Sequence, residues 1–460
     1  MSTRIYKAGE LDLEFGDEGY AKLPEPPNAL HTPSSYAWTI DSAGRMIWTA
    51  GTAIDNKLFY YWTTLDAKGV WQPKPGFVEI EDSPIDPALS NEQKIYFLTP
   101  ATAEGNSTFI TCSQCNILEN DDRLYYAAIG HFQNNFTPLD GFGTKGMIVV
   151  RPDGHPTSTT PPSTAIAHRR SEANCLSDAS TPEQLQREDR GRAMAPATRS
   201  VLFGNTIKTL YASSLDSQPN QTVWLALHDA QTGVPVAGLG PDGSRSQWQI
   251  KNFFDSDSLF VPQGCHFFED GGFALVGTEA GESIVARYKS NGQLDLDFNK
   301  VGFIRLSAHT IQLGADEDRI VIAVSTPLIT EPVKLLLQVY DKHTGALDTT
   351  FNETGTLSIK IDLGMMIKGI GTQNVIIGQT GDIYIAGNLF YYDGPAMSDR
   401  GIVHRVTRDG KLDVSFGSGG RYVFPDKVTK LEEAQLRPDG LQFVALLDEN
   451  AGYCAMKLLI

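Results

Sequence analysis

Short segments in which apolar and polar residues alternate run along the whole chain, separated by turn residues. Between Gly292 and Gly345 four such segments follow one another, at residues 303–306, 310–313, 319–324 and 334–340. Alternation with a period of two places successive side chains on opposite faces of a strand, so each segment predicts a β-strand. No sustained stretch has the 3.6-residue periodicity of a helix. The pattern therefore predicts an all-β protein built from units of four short strands.

A loop motif, Gly-x-Leu-Asp-x-x-Phe-Gly-x-x-Gly, recurs between these strands. It is most complete at Gly410 and stands again at Gly9, so it occurs near both ends of the chain. With the degenerate copies we count seven units, which open at Gly9, Gly69, Gly154, Gly233, Gly292, Gly345 and Gly410. Repetition of one unit over the whole length indicates a closed repeat architecture.

A second landmark, a turn followed by an apolar strand that often ends in Ala-Gly, gives an independent count. It occurs at residues 43–51, 122–130, 207–212, 272–277, 319–324, 381–387 and 440–445, which is again seven copies. Seven four-stranded units predict a single β-propeller over residues 1–460, since this fold leaves only short, protected sheet edges. The last strand, 453–460, lacks the loop that begins the chain at Gly9. We therefore expect the N- and C-terminal segments to pair and complete one blade.

The residue types of the motif suit a structural loop. Glycines such as Gly9 permit a positive φ in a tight turn, and Asp12 and its equivalents can accept backbone N–H bonds two residues on. We expect Leu11 and Phe15, with their equivalents in other units, to fill the gap between adjacent blades. Calcium binding is the alternative use of acidic loops, but one carboxylate per loop is far below the number of oxygens that calcium takes.

On these residues the chain resembles the bacterial delta-60 repeat family. Units of that family carry the same Gly-x-Leu-Asp-x-x-Phe-Gly-x-x-Gly loop and an Asp-Gly turn before an apolar strand. The match covers the last 230 and the first 50 residues, and the middle of the chain matches poorly. The resemblance implies a propeller-like repeat protein and brings no catalytic residues with it.

Charge and composition exclude several classes of partner. The net charge is -17, with 55 acidic and 38 basic residues, which disfavours binding to nucleic acid and to anionic membranes. No run of 18 apolar residues predicts a membrane span, and the N-terminus lacks the apolar region of a cleaved signal. We therefore expect a cytoplasmic protein, or one exported without a cleaved signal peptide. Five cysteines are too few for a disulfide scaffold.

Two segments interrupt the repeat. Residues 155–198 contain a Ser/Thr/Pro-rich stretch and a charge run, which predict a partly disordered loop insertion. A neutral insertion and a partner-binding or protease-sensitive arm are the alternatives for it. Residues 81–107 are predicted to be a second insertion, between the first strand of a unit and the rest.

Binding is expected on one face of the ring. If strands alternate in direction, the motif loops and the Asp-Gly turns share a face, here called the motif face, and the remaining loops share the other, the irregular face. Variable loops with aromatic rings beside amides and carboxylates suit a sugar or a peptide. Packing of the rings against neighbouring loops is the alternative. Two loops assigned to the irregular face supply the candidate ligand-binding residues: Phe132, Asn134, Asn135, Phe136, Asp140, Phe390, Tyr391, Tyr392 and Asp393.

Motifs for metals and catalysis are weak. Cys112 and Cys115 form a lone Cys-x-x-Cys, without the second pair that zinc needs, and Cys265-His266 stands on a predicted strand. We interpret these cysteines as structural and predict neither a cofactor nor a metal. The chain lacks Gly-x-Ser-x-Gly, His-Glu-x-x-His and phosphate-loop motifs.

Three functions are compatible with these patterns. The first is a non-catalytic propeller that binds or scaffolds a protein or carbohydrate partner through its irregular face. The second is a propeller enzyme with a metal-assisted hydrolase or lyase site at the central channel. The third is an exported effector, toxin component or surface protein.

Overall fold

In the computed structural model the chain is a β-propeller of seven four-stranded antiparallel blades, as predicted. The structure describes residues 7–23, 36–41, 44–54, 57–72, 76–79, 94–103, 106–119, 122–133, 137–144, 146–150, 199–215, 222–250, 253, 260–307, 311–325, 333–364, 366–393, 396–437, 439–447 and 453–460.

The strands are named β1 to β28 in chain order, and each blade is given from its innermost strand outwards. Blade 1 consists of β2 (Tyr36–Ile40), β3 (Met46–Ile54), β4 (Lys57–Leu65) and β5 (Gly76–Glu79). Blade 2 consists of β6 (Lys94–Ala103), β7 (Asn106–Glu119), β8 (Asp122–Gln133) and β9 (Met147–Val150). Blade 3 consists of β10 (Arg199–Phe203), β11 (Thr206–Leu215), β12 (Thr222–Asp229) and β13 (Gln247–Ile250). Blade 4 consists of β14 (Val261–Phe267), β15 (Phe273–Glu279), β16 (Glu282–Tyr288) and β17 (Phe303–Leu306), with a 3-10 helix at Phe298–Lys300.

The remaining blades follow the same order. Blade 5 consists of β18 (Ile311–Ala315), β19 (Arg319–Ser325), β20 (Lys334–Asp341) and β21 (Thr356–Lys360). Blade 6 consists of β22 (Ile367–Ile377), β23 (Ile383–Asp393), β24 (Ala396–Val406) and β25 (Arg421–Val423). Blade 7 consists of β26 (Val428–Arg437), β27 (Gly440–Leu447), β28 (Tyr453–Leu458) and β1 (Tyr20–Lys22).

Blade 7 is completed by both ends of the chain. The N-terminal strand β1 pairs antiparallel with β28, with Tyr20 opposite Met456 and Lys22 opposite Cys454. The preceding motif loop is also fixed to the C-terminus, since the Gly9 N–H donates to the Leu459 carbonyl at 2.7 Å. This confirms the predicted closure of the ring.

The core lies between neighbouring blades rather than at the centre of the ring. Side chains on the facing surfaces of blades 5 and 6, such as Val321 and Ile385, belong to one buried cluster. Another cluster joins blades 7 and 1, where Val444 packs with Trp38 and Trp48. Each sheet therefore has a neighbouring blade on both of its faces. Successive side chains along a strand point alternately into these two interfaces.

Blade 2 differs from its sequence-based assignment. The segment 122–130, counted above as a copy of the second landmark, lies in β8, the third strand of the blade, whereas the other six copies lie in the second strand of their blades. The first strand is therefore β6, which lies inside the predicted insertion 81–107, and the same range also holds the beginning of β7. The prediction of an insertion is therefore wrong for residues 94–103 and 106–107, which belong to strands of blade 2. Residues 81–93 and the predicted loop 155–198 lie outside the described residues.

The motif copy of blade 2 is also displaced. The loop between β8 and β9 contains Leu139-Asp140-Gly141-Phe142-Gly143, which matches the motif, whereas the copy assigned to Gly154 lies outside the described residues. This loop has one residue between Asp and Phe, whereas the motif has two, which explains why residues 139–143 were not counted as a motif copy.

Candidate functional site

The motif loops join each blade to the next. In six of the motif loops the residue that follows the aromatic or Leu anchor donates its backbone N–H to a carbonyl of the neighbouring motif loop, at 2.7–2.9 Å. These bonds run from Gly16 to Lys68, Gly143 to Thr232, Gly240 to Asn291, Asn299 to Thr344, Asn352 to Asp409 and Gly417 to Ala8. The anchoring rings Phe15, Phe142, Phe298, Phe351 and Phe416 are fully buried. The structural interpretation of the motif phenylalanines is confirmed, but Leu347 is 39% exposed and fills no gap.

The opening glycine of the motif is required by this contact. Gly410 has φ +83°, and a Cβ built on it would lie 2.5 Å from the backbone N of Asn352 in the neighbouring loop. A side chain at this position would therefore meet backbone in a conformation that L-residues rarely adopt.

A charged triad ties the two loops of a blade together on the motif face. In blade 6, Arg405 on β24 lies 2.7 Å from Asp382 in the first turn and 3.3 Å from Asp413 in the motif loop. The corresponding groups are Asp270, Arg287 and Asp295 in blade 4, and Asp439, Lys457 and Asp12 in blade 7. Although burial opposes the shift, hydrogen bonds from Arg405 and Thr380 lower the pKa of Asp382. Three repeats of one arrangement indicate a structural role.

Sequence reasoning missed these triads. Their signal is a cation on the third strand eight residues before the motif aspartate, as Arg287 precedes Asp295 and Arg405 precedes Asp413.

The two predicted binding loops lie on opposite faces of the ring. The loop at 131–140 follows the third strand of blade 2, so it belongs to the motif face, whereas 388–394 follows the second strand of blade 6 and reaches the irregular face. Phe132 lies in β8 and is fully buried, so this ring is part of the core rather than a binding surface. Residues 134–136, with Asn134, Asn135 and Phe136, lie outside the described residues.

Asp140 is exposed in the motif loop of blade 2 and lines a shallow cavity of about 580 Å³. The cavity is bounded by Gln133, Thr137, Pro138, Leu139, Asp140, Gly141, Phe142, Gly143 and Gly146. Because backbone and structural motif residues form most of its wall, this cavity offers little specific chemistry.

The blade 6 hairpin, formed by β23 and β24, presents a ring to solvent on the irregular face. Tyr392 is 43% exposed, and the ammonium of Lys368 lies 5.1 Å from the centroid of the Tyr392 ring. The backbone N–H of Tyr392 donates to the carbonyl of Met366 at 3.2 Å. Met366 is itself 58% exposed. We call Met366, Lys368 and Tyr392 the blade 6 patch.

The other candidates in this hairpin are less available. Tyr391 is only 7% exposed and lies beneath Arg400, whose guanidinium carbon is 5.3 Å from the ring centroid. Phe390 is partly buried, with its ring against the inner-strand residue Gly371. Asp393 is the last residue of β23, and its side chain lies outside the description. Among the predicted rings that the structure describes, Phe132, Phe390, Tyr391 and Tyr392, it is Tyr392 that is exposed.

A further polar cluster, not predicted from the sequence, lies on the inner strands. The inner strand of blade 7, β26, has a register irregularity between Leu431 and Glu433. Asn388 of blade 6 holds this bulge, since its side-chain amide donates to the Leu431 carbonyl at 3.1 Å and accepts from the Leu431 N–H at 2.8 Å. Bulges re-aim side chains, and here the bulge sets the direction of Glu433.

The carboxyl group of Glu433 has a perturbed pKa. Burial raises the pKa of Glu433 to about 7, although Gln435, Trp38 and the positive charge of Arg199 oppose the shift. Gln435 on the same strand is fixed in turn, since its amide donates to the Trp38 carbonyl of blade 1 at 3.0 Å. Arg199, at the beginning of β10 in blade 3, donates to the Cys265 carbonyl of blade 4 at 3.1 Å.

Cysteine and histidine side chains in the described residues have no reactive surroundings. Cys112, Cys265 and Cys454 are buried thiols that form no disulfide, and burial raises the pKa of Cys265 to about 11. Burial likewise lowers the pKa of His266 to about 4, which leaves its ring neutral. The side chain of Cys115 lies outside the description. Within the described residues, no three His, Cys, Asp or Glu side chains lie close enough to hold a metal ion.

The described part of the chain contains no helix long and apolar enough to cross a membrane. No family model matches the chain, and no curated protein matches it. The resemblance to delta-60 repeats therefore rests on the motif residues alone.

Similar solved structures are β-propellers of low sequence identity. The polysaccharide lyase Uly1 is 11% identical over 96% of this chain and 92% of its own, with a TM-score of 0.46. The α-L-arabinofuranosidase Arb93A from Fusarium graminearum is 9% identical over 84% and 97%, with a TM-score of 0.41. The β-propeller domain of the Trilobed protease from Pyrococcus furiosus is 8% identical over 93% and 94%, with a TM-score of 0.38. The described sheets thus define an all-β, seven-bladed propeller, and its function has to be argued from its own residues.

Proposed function

We propose that this protein is a non-catalytic β-propeller that recognises a protein or carbohydrate partner through its irregular face. The blade 6 patch carries this proposal. It combines the exposed ring of Tyr392 near the end of β23 with an exposed thioether side chain and a cation at the beginning of the adjacent inner strand β22.

The chemistry of the patch suits recognition of a partly apolar ligand. An exposed tyrosine offers a flat face for a sugar ring or an aromatic side chain and a hydroxyl for hydrogen bonding. The methionine beside it adapts to irregular shapes because it has three rotatable bonds. Long, fully paired strands support the hairpin, since β23 and β24 remain in register from Ile383 to Asp393. The ring is thus presented on a rigid element, which lowers the entropy cost of binding.

The test compares Tyr392→Ala with Val414→Ala, a matched change of an exposed side chain on the motif face. Val414 is 72% exposed, so neither change opens a cavity in the core. Wild type and both variants are screened on a glycan array, and against a purified protein partner identified by crosslinking. We expect Tyr392→Ala to weaken binding about tenfold, the loss of roughly 1.4 kcal/mol typical of a stacked ring.

Val414→Ala should bind like wild type. Equal binding by Tyr392→Ala and wild type would show that the blade 6 patch is not part of the interface. Loss of binding in Val414→Ala would place the interface on the motif face instead.

One observation favours a second candidate, an enzyme with its site in the channel. A carboxyl group whose pKa lies near 7, as for Glu433, is the property that a general acid or base needs at neutral pH. The candidate activity is that of a hydrolase or lyase. Assay of wild type and Glu433→Ala on a polysaccharide panel tests it, because turnover by wild type that is lost in the variant would support catalysis over binding alone.

A further inference from the structure

One histidine lies inside the apolar interface between blades 5 and 6, here called the blade 5–6 seam. His404 on β24 is fully buried and stands opposite Ile385 of β23 in the ladder. Residues two apart on a strand share a face, so the His404 ring points to the same side as Ile402 and Val406. Ile385, Ile402 and Val406 all belong to the buried cluster that joins the two blades. The imidazole therefore packs within the seam.

Blade 5 presents an aliphatic surface to the blade 5–6 seam. Its contributions to the buried cluster include Val321, Ala323, Leu335, Leu337, Val339 and Ile359. The titratable group on the same face of β20 is Asp341, two residues beyond Val339. Its carboxylate accepts hydrogen bonds at the end of the strand from the backbone N–H and the hydroxyl of Thr344, both at 2.7 Å. The cluster side chains around the imidazole thus carry no charge.

Two cations lie on the same face of blade 6 as the imidazole. Arg421 of β25 stands directly opposite His404, and its guanidinium donates to a backbone carbonyl of the connection from β21 to β22 at 2.7 Å. Arg400 lies four residues from His404 along β24, about 13 Å away. Its guanidinium pairs with the exposed Asp426 and lies over the Tyr391 ring. The charge next to His404 is therefore that of Arg421.

The ring nitrogens of His404 are unsatisfied. Neither Nδ1 nor Nε2 has a hydrogen-bond partner among the described residues. A neutral imidazole has one N–H donor and one acceptor nitrogen, and burial of either group without a partner costs free energy. His131, also fully buried, shows the ordinary solution, since its ring nitrogens lie 2.7 Å from the Ala230 carbonyl and 2.9 Å from the Thr108 hydroxyl.

Other blades have an apolar residue where blade 6 has His404. His404 immediately precedes the cation of its charged triad, and the corresponding residues are Ala286 in blade 4 and Met456 in blade 7. Both are fully buried in the apolar cluster between their own blade and the preceding one. Stability alone favours such a residue, so the histidine breaks a packing rule without a compensating bond, as residues with a functional role do.

Protonation is what distinguishes this side chain from an apolar one. In the closed seam an imidazolium would lie among aliphatic side chains and beside the positive charge of Arg421, and these two effects lower the pKa of His404 to about 3. In an open seam the ring meets water and regains its ordinary pKa of about 6.5. The open form therefore binds a proton at a pH where the closed form does not, and the equilibrium moves toward opening as the pH falls below that value.

We propose that the blade 5–6 seam is a pH-sensitive switch, in which protonation of His404 separates β24 and β25 from blade 5 while the other blades stay packed. The fully buried ring, its two unpaired nitrogens and the aliphatic surface around it carry this proposal. The switch is a property of the fold and does not depend on the function proposed for the blade 6 patch.

The size of the effect follows from the two protonation equilibria. With a pKa of about 3 in the closed seam and about 6.5 in the open one, the equilibrium constant for opening rises about thirtyfold between pH 7.5 and pH 5.

The experiment is hydrogen exchange of the full-length protein at pH 5 and pH 7.5, read by mass spectrometry and corrected for the pH dependence of intrinsic exchange. We expect the protection of peptides from β24 to fall about thirtyfold from pH 7.5 to pH 5. Peptides from β16 in blade 4 should change much less, because that blade has Ala286 at the corresponding position.

Two substitutions at His404 test the assignment. His404→Met copies the residue of blade 7, and His404→Gln keeps a polar side chain that does not titrate. Each variant should lose the thirtyfold change in β24, and either one alone decides the question if the other does not fold. His228→Gln is the matched control, since His228 of blade 3 is also buried and burial lowers its pKa to about 4. This variant should keep the change in β24.

Three results would overturn the proposal: unchanged protection of β24 in wild type between the two pH values, an equal loss of protection in β16 and β24, or a thirtyfold change that persists in a folded His404 variant.

Discussion

Replacement of Phe416 by alanine tests whether the motif phenylalanines hold the blades together. The ring is fully buried in the cluster between blades 6 and 7, where it lies 6.2 Å from the ring of Tyr384. Truncation of a buried phenylalanine removes its transfer free energy and leaves a cavity, which costs about 3–5 kcal/mol. The cost should lie toward the upper end, since the backbone of this loop is pinned by the bond from Gly417 to Ala8 and cannot collapse into the space.

Val414→Ala in the same loop is the control. Val414 lies two residues from Phe416 but is 72% exposed, so its replacement should change the free energy of unfolding by less than about 0.5 kcal/mol. Urea denaturation followed by tryptophan fluorescence, with equal slopes for all three proteins, gives the comparison. Equal destabilisation by the two substitutions would refute the assignment of the phenylalanine as the anchor between blades.

Further predictions concern the backbone, the channel and the closure of the ring. Gly410→Ala should destabilise the protein by about 1–3 kcal/mol, because the strained φ and the backbone of Asn352 both oppose a Cβ; a denaturation midpoint equal to that of wild type would contradict this. Glu433 has a raised pKa in the folded state, so the unfolded state binds fewer protons between about pH 4.5 and 7 and stability should fall as pH rises through that window. The loss relative to Glu433→Gln between pH 5 and 8.5 should be about 2–3 kcal/mol, and parallel stability curves for the two proteins would show that the group is not desolvated. Deletion of residues 1–23 removes β1 and should lower the melting temperature, whereas adding a synthetic 1–23 peptide in excess should raise it again.

The repeat architecture was predictable because it depends on residue types that recur at fixed local positions in the sequence. Glycines in tight turns, the motif phenylalanines and the alternating strands act within one loop or one sheet, and together they gave the number of blades and the pairing of the ends. The prediction failed in blade 2, where the strand at 122–130 resembled a second strand in pattern but is the third. Alternation shows that a segment is a strand and leaves its order within the blade undetermined.

The candidate site was less accessible to sequence reasoning. Tyr392 was identified because an exposed ring in a variable loop is a local property, but Phe132 was misread since burial depends on which strands surround a ring. The bond from the Gln435 amide to the Trp38 carbonyl joins positions far apart in sequence, on the inner strands of blades 7 and 1. No local pattern marks such a contact, because it depends on the closure of the ring.

The way in which the chain ends meet determines how the ring responds to force. Tyr20 lies opposite Met456 in the ladder of β1 and β28, so the N-terminus enters and the C-terminus leaves at the same end of that ladder. A pull applied to the two termini therefore loads the bonds one after another, first those from Gly417 to Ala8 and from Gly9 to Leu459 and then that from Asp12 to Lys457, before it reaches the strands. The closure should open bond by bond at low force, before the strand ladders of the six remaining blades are under load.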